Sequence, residues 1–284
     1  MHIAIYSAFF SPTSIAYIKT VIEYLNANDH QFILVDRLKK HLGEEGETYD
    51  YFKDDVALEK KVDFLFSVGG DGTLLRSIAV IRDSKIPILG INAGRLGFLT
   101  SIKKDTLQDG LDLFFQGKYS IVERSLLAVA TKEPTEALQE FGFALNEVTI
   151  NRKNTTSMLS IHTKLNDQFL TTYWSDGLII ATPTGSTGYS LSCGGPIVMP
   201  QSNNLVLTPI APHNLNARPL IIPDHIEITL RVSSRTEQFL VSMDSTVVSV
   251  STDTFLNINK SSQTIKMVEL NNEGFLPTLR KKLL

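Results

Sequence analysis

The chain has 284 residues, 43% of them hydrophobic and 20% charged, with a formal net charge of −3. That length admits one large domain or two of ordinary size, and the acidic balance argues against broad nucleic-acid binding. The single cysteine, Cys193, excludes an intrachain disulfide and a thiolate zinc cluster, and reads as a small buried filler.

No apolar run approaches the roughly 18 residues of a membrane span, so no membrane is an expected partner. The start, MHIAIYSAFF, lacks the basic opening and long apolar centre of a secretory signal. A reducing cytoplasm is the expected compartment.

In chain order, residues 2–7 predict a first strand. Residues 14–26 predict a helix whose Ile15, Ile18, Val21, Ile22 and Leu25 share one face. Residues 31–36 predict a second strand, and the polar, acidic stretch 37–55 an exposed loop. The run 62–68 predicts a third strand, 73–82 a helix, 86–91 a fourth strand introduced by Pro87, and 104–116 another helix. Such alternation indicates βαβ units and a parallel sheet covered by helices.

After about residue 121 the pattern changes. Short β-branched and aromatic runs follow at 126–131, 143–151, 158–165, 168–172, 177–182, 205–209, 226–232, 238–244, 246–251, 255–259 and 264–269. Turn residues separate them, which predicts a β-rich second domain. The fold class expected is thus α/β plus all-β. The expected division is 1–121, with 271–284 packing back on it, and 122–270. No internal repeat of fixed period is present.

Four segments carry chemistry. Residues 68–75 read VGGDGTLL, at a strand-to-helix junction. Helix-start amides attract phosphate, and Gly69, Gly70 and Gly72 allow a ligand close to the backbone. Asp71 is then an acid or base within reach of a ligand hydroxyl, or else the polar cap of a tight turn. Neither GxxxxGK[ST] nor GxGxxG occurs in the chain. The second segment, NAGRLGFLT at 92–100, follows the fourth strand, so it is expected on the same rim; Arg95 is a phosphate candidate or a surface arginine.

The third segment is Asn146-Glu147. Successive strand side chains face opposite ways, so the two share a ligand only where the strand ends or bulges. The pair suits ribose hydroxyls and a base edge, or a solvated strand face. The fourth is DGLIIATPTGSTGYSLSCGGP at 176–196, dense in glycine and in the hydroxyls of Ser186, Thr187, Ser190 and Ser192. These suit the edges of a nucleotide, or form a serine-rich coil. No HExxH or other close metal-ligand spacing appears, which favours a structural His213. Core packing is the expected role of Trp174, with stacking on a flat ring the alternative.

Taken in order, GGDGT at 69–73, NAGRLGFLT at 92–100, NEVTINR at 146–152, DGLIIATPTGSTGYSLSCGGP at 176–196 and LTPIAPHNLNARPLIIP at 207–223 resemble the successive motifs of the NAD kinases. GGDGT alone is shared with diacylglycerol and sphingosine lipid kinases and, in variant form, with phosphofructokinases. The resemblance runs from about residue 62 to 245. It implies a Rossmann-like N-terminal domain, a β-rich, sandwich-like C-terminal domain and a site between them. The implied reaction is phosphoryl transfer from ATP, or inorganic polyphosphate, to the 2′-hydroxyl of the adenosine ribose of NAD. A divalent metal, usually magnesium, accompanies the donor, without a protein metal site of its own. A homodimer or homotetramer is implied.

By position, the resemblance makes Asp71 the general base and puts Gly72 and Arg76 near dinucleotide or donor phosphates. Asn146 and Glu147 match the pair on the NAD ribose and adenine. Asp176 matches the acid of the DG motif, and Ala181 and Thr187, Gly188, Tyr189, Ser190, Leu191 and Ser192 the nucleotide contact. Gly188 stands where alanine is usual, Trp174 where arginine often stands, Ser157 where histidine often stands, and Met243 where cysteine is common. These departures bear on the fine contacts of Trp174, Ser157 and Thr246. A lipid kinase, or an NAD(P)-sensing module without turnover, is the alternative. A ribose hydroxyl is a poor nucleophile, so a positioned carboxylate assists by typically ~100- to 10,000-fold. Alignment, the cation, arginine and helix-end amides supply the rest.

Overall fold

Ile3 to Tyr6 are buried on both faces of strand β1 (His2–Tyr6), which is what a central parallel strand requires. In a computed structural model, residues 1–53, 58, 62–81, 84–94, 97–131, 142–154, 156–214, 216–252, 254–271 and 274–284 are described. The chain divides into two units, Met1–Glu123 with Ile265–Leu284, and Arg124–Thr264.

In the first unit, α1 (Pro12–Ala27) starts where the Ser11 hydroxyl accepts the Ser14 amide at 3.1 Å, with Pro12 in the first turn. Its buried face is Ser14, Ile18, Val21, Ile22 and Leu25. β2 (Gln31–Val35), β3 (Tyr51–Phe52), β4 (Phe64–Gly69), α2 (Asp71–Ile81), β5 (Ile88–Asn92) and α3 (Leu107–Phe115) follow. The strands pair in parallel in the order β3-β2-β1-β4-β5, and Met267 pairs with Ile88 on the far side of β5. This is the strand order of a Rossmann-like half, with its reversal between β1 and β4. Helix faces bring Leu74, Val80, Ile81, Leu111 and Phe114 into the core, each worth about 1.5–3 kcal/mol on burial.

Of the expected exposed loop 37–55, residues 54 and 55 lie outside the described residues, and the rest forms two 3₁₀ turns, Asp36–His41 and Gly43–Thr48, followed by β3. Leu38, Leu42 and Phe52 anchor it. A repeat of three residues per turn leaves none of the 3.6-residue periodicity by which helices are read.

The second unit is a pair of antiparallel layers. Among the described residues one layer has six strands in the order β13-β12-β11-β8-β15-β16: Leu220–Pro223, Asn204–Ile210, Gly177–Ala181, Glu147–Arg152, Gln238–Met243 and Thr246–Ser251. The other pairs β10 (Gln168–Ser175), β9 (Leu159–Leu165), β14 (Ile228–Ser233) and the first part of β17 (Phe255–Leu270). In β6 (Tyr119–Thr131), Leu127 and Ala128 pair with β7 (Phe143–Ala144). Inward residues of both layers, among them Ile150, Ile161, Ile180, Leu207, Leu230, Phe239 and Val241, form one core. Face-to-face packing of two antiparallel layers makes the unit sandwich-like. On the outer face of β11, Ile179 and Ala181 pack with Val198 and Val206. That second burial explains why β11 reads as an unbroken apolar run.

Candidate functional site

Two clusters gather the chemistry. In the first unit β4 ends at Gly69 and α2 begins at Asp71, with only Gly70 between them. Asp71 therefore lies beyond the carboxyl end of β4, at the point where the strand order reverses, and at the positive end of the α2 dipole. Its Oδ2 accepts the Phe98 amide at 2.8 Å and its Oδ1 accepts the Leu99 amide at 3.1 Å. Gly97 permits this grip, because a β-carbon there would stand 1.8 Å from Asp71 Oδ1. Thr73 occupies the space a side chain at Gly69 would need, whereas Gly70 and Gly72 border open space.

Arg76 is exposed and lays its guanidinium 4.8 Å from the ring centroid of Phe9, in the loop after β1. It stands at the rim with Asp71. Asn92, buried at the end of β5, accepts the Gly94 amide at 2.7 Å and donates to Thr100. Arg95 lies outside the described residues. Phe98 in turn has the Phe275 ring at 5.9 Å and Lys282 Nζ at 4.6 Å, both from the C-terminal helix Phe275–Leu283.

In the second unit, β7 ends at Ala144 and β8 begins at Glu147. Asn146 is therefore off the ladder, and the two adjacent polar side chains escape strand alternation. Asn146 Oδ1 and Glu147 Oε2 are buried and have no hydrogen-bond partner. Orphaned buried acceptors are costly unless something else satisfies them, which fits a ligand surface better than a solvated strand face.

Burial pushes the Glu147 carboxyl up to about 7; the nearby Asp244 charge adds to this, and the Tyr189 amide works against it. Asp244 occupies the tight turn between β15 and β16 at φ 50°. Its Oδ2 accepts the Leu145 amide at 2.7 Å, and its Oδ1 accepts those of Asn146 and Glu147 at 2.9 and 3.1 Å.

The segment after β11 folds onto this pair. The Thr182 hydroxyl donates to the Leu145 carbonyl at 2.6 Å and accepts the Gly185 amide at 3.1 Å. A β-carbon at Gly185 would lie 2.0 Å from the Asn146 carbonyl oxygen, and one at Gly188 2.9 Å from Glu147 Oε2. The hydroxyls divide into two groups. Ser186 and Ser190 are buried: Ser186 donates to the Pro183 carbonyl and accepts the Val198 amide, and Ser190 is 2.8 Å from the Thr208 hydroxyl. Thr187 is half-buried and Ser192 exposed, beside exposed Tyr189 and half-buried Leu191. Ala181 is fully buried beneath them.

Asp176 forms an ion pair with Arg152 at 3.1 Å. Ser157 lies in the β8–β9 turn, and Thr246 opens β16 immediately past the Asp244 turn. Trp174 is not a core residue: it is 57% exposed on β10, where Tyr173 and Ser175 take the inward positions. Its ring centroid is 6.4 Å from that of exposed His213. Cys193 is half-buried rather than buried, with its thiol hydrogen-bonded to the Tyr189 side chain.

Sequence reading passes over Asp244, leaving it at a strand end. The available signal was an Asp-Ser pair between two alternating runs, which marks a turn able to hold a positive φ. Among the described residues no three His, Cys, Asp or Glu side chains gather as a metal cage, and no helix is long and apolar enough to cross a membrane.

Residues 12–119 match the family model of the ATP-NAD kinase N-terminal domain, and residues 145–270 that of the ATP-NAD kinase C-terminal domain. The NAD kinase of Flavobacterium psychrophilum is 48% identical over 287 aligned positions, covering 100% of this chain and 98% of that one. The NAD kinase of Cytophaga hutchinsonii is 39% identical over 289, covering 100% and 97%. Among solved structures, yeast NADH kinase complexed with NADH superposes with a TM-score of 0.85 at 22% identity, covering 100% of this chain and 87% of the yeast chain; it supports the fold. An NAD kinase from Archaeoglobus fulgidus in complex with ATP superposes at 0.74 with 25% identity, covering 99% and 97%.

Proposed function

The chain belongs to the NAD kinase family, and we propose that Asp71 is the base through which it phosphorylates NAD. The acceptor is the 2′-hydroxyl of the adenosine ribose of NAD, and the donor is ATP or polyphosphate. With ATP, a bond forms from the 2′-oxygen to the γ-phosphorus as the bond to the β-phosphate oxygen breaks. The hydroxyl proton passes to Asp71, and the products are NADP and ADP.

The observation that carries this reading is the grip on Asp71. Two backbone amides fix both carboxylate oxygens at a helix start, and each oxygen keeps an acceptor site for a hydroxyl. Positioning of that kind is what general-base assistance needs. Gly72 and the α2 amides serve donor phosphate, and Arg76 supplies positive charge on the same rim. Asn146 and Glu147 take the ribose and adenine edges with their unpartnered oxygens. Asp176, Thr187, Gly188, Tyr189 and Ser192 line the same nucleotide contact. Trp174, exposed, stacks or hydrogen-bonds at its margin.

A divalent cation, magnesium, would accompany the donor phosphates, whose oxygens are the hard ligands it prefers. There it supplies charge stabilisation. We propose a cytoplasmic homodimer or homotetramer, to be checked by light scattering.

The test is NADP⁺ formation from NAD⁺ and Mg-ATP by wild type and Asp71→Asn. Wild type is expected to turn over, and the variant to lose ~100- to 10,000-fold in kcat with NAD binding retained. A folded Asp71→Asn of near-normal turnover removes the base. A wild type that binds NADP(H) without turnover is a sensor, and one that instead phosphorylates a lipid alcohol is a lipid kinase.

A further inference from the structure

We infer that Asp244 is a positioning residue for dinucleotide recognition, holding Asn146 and Glu147 in the one backbone arrangement that presents both side chains to NAD. This rests on the assignment of Asn146 and Glu147 to NAD. Three consecutive amides, of Leu145, Asn146 and Glu147, point at a single carboxylate at 2.7, 2.9 and 3.1 Å. They belong to the stretch that leaves the β-ladder between β7 and β8, so no neighbouring strand takes up the Leu145 and Asn146 donors. A charged acceptor for donors of this kind is a strong, directional tie.

The reverse tie exists as well, since the Asp244 amide donates to the Glu147 carbonyl at 3.1 Å. Asp244 is held in the left-handed region by its turn, at φ 50°, so both its backbone and its carboxylate address the same three residues. From the other side, Gly185 closes on the Asn146 carbonyl and the Tyr189 amide reaches the Glu147 carboxylate. The segment is therefore clamped between the β15–β16 turn and the segment after β11. Asp244 itself does not touch NAD; it acts through Asn146 and Glu147.

The clamp also sets charge. The groups facing Glu147 are Asp244 on the β15–β16 turn and, on the segment after β11, Tyr189 with its partner Cys193. Only Asp244 among them is an acid, and its charge favours the protonated form of Glu147.

Asp244→Asn is the direct test, because asparagine also tolerates a positive φ and preserves the turn. The amide end of the new side chain cannot accept, so at least one of the three donors is left unmet. KM for NAD⁺ is expected to rise about tenfold or more, as for a buried donor left unpaired, while KM for Mg-ATP stays near wild type and kcat falls less than about threefold. The break near neutral pH in KM for NAD⁺ is expected to move to lower pH, since the negative charge is gone. Asp244→Glu keeps that charge while displacing the carboxylate. It should keep the break and raise KM, and it carries the test should Asp244→Asn not fold.

An unchanged KM for NAD⁺, or a uniform loss in kcat and both KM values with an unmoved pH break, overturns the assignment. If wild type makes no NADP⁺, the proposed function fails separately. Asp244 is then judged by the amide shifts of residues 145–147, and an unchanged pattern in Asp244→Asn overturns it.

Discussion

Glu147 is a buried acid, and the NAD-binding role proposed for it pulls against that burial. Its folded pKa, pushed up to about 7, lies above the usual 4.5. Between those values the native chain holds a proton that the unfolded chain has released. Stability therefore falls as pH rises from about 4.5 through 7, and the full penalty, up to about 3 kcal/mol, is present above 7. Glu147→Gln is expected to be more stable than wild type at pH 8 by some of that amount, and to flatten the decline between pH 5 and 7. Urea unfolding at pH 5, 7 and 8 reads this directly. Parallel pH curves for the two proteins contradict it. The same variant should bind NAD more weakly, so stability and recognition move in opposite directions at one side chain.

At the scale of the element, the loop after β5 matters more than its composition suggests. Gly97 looks like a turn former, yet its function is to let a backbone approach a carboxylate. Gly97→Ala places a β-carbon 1.8 Å from Asp71 Oδ1, so either the loop or the acid must retreat. Turnover is expected to drop on the order of a hundredfold, the cost of a displacement near 1 Å, with little change in the thermal midpoint. A normal kcat in Gly97→Ala would show that Asp71 does not depend on the grip of residues 98 and 99.

Relations of this kind explain which parts were legible in advance. The βαβ alternation and most strands of the second unit are local in sequence and exposed by periodicity, and the Asp71 loop by its glycines at a strand-to-helix junction. β13 escaped because it sits between Pro219 and Pro223; it is an edge strand, where proline costs no ladder bond. β17 reads as two strands because Lys260-Ser261-Ser262-Gln263 is polar, although Ser261 is buried within one continuous strand. The Asp244 clamp and the Gly97 grip span 97 and 27 residues, and no window of sequence contains both partners.

On the scale of the whole molecule, the last residues bear on the first unit's chemistry. Phe98, whose amide holds Asp71, has its ring covered by Phe275 and by the Lys282 ammonium. A chain ending at Gly274 exposes that ring and frees the loop. Its kcat is expected to fall on the order of tenfold while calorimetry still reports NAD binding, because Asn146, Glu147 and Asp244 are untouched. Equal turnover by the shortened chain would reduce the helix to a surface ornament.

The return of Ile265–Leu284 to the first unit also sets an order in time. Synthesis runs from the amino end, so β1 to β5 leave the ribosome well before Met267 is available to pair with Ile88. Until then Ile88 lacks its β17 partner, while Ser101 and Ile102 already pair with Gly90 and Asn92 farther along β5, and the Asp71 loop lacks the cover of Phe275 and Lys282. One late segment thus supplies both the partner of Ile88 in the sheet and the cover of the loop that grips Asp71, so the two features are completed together.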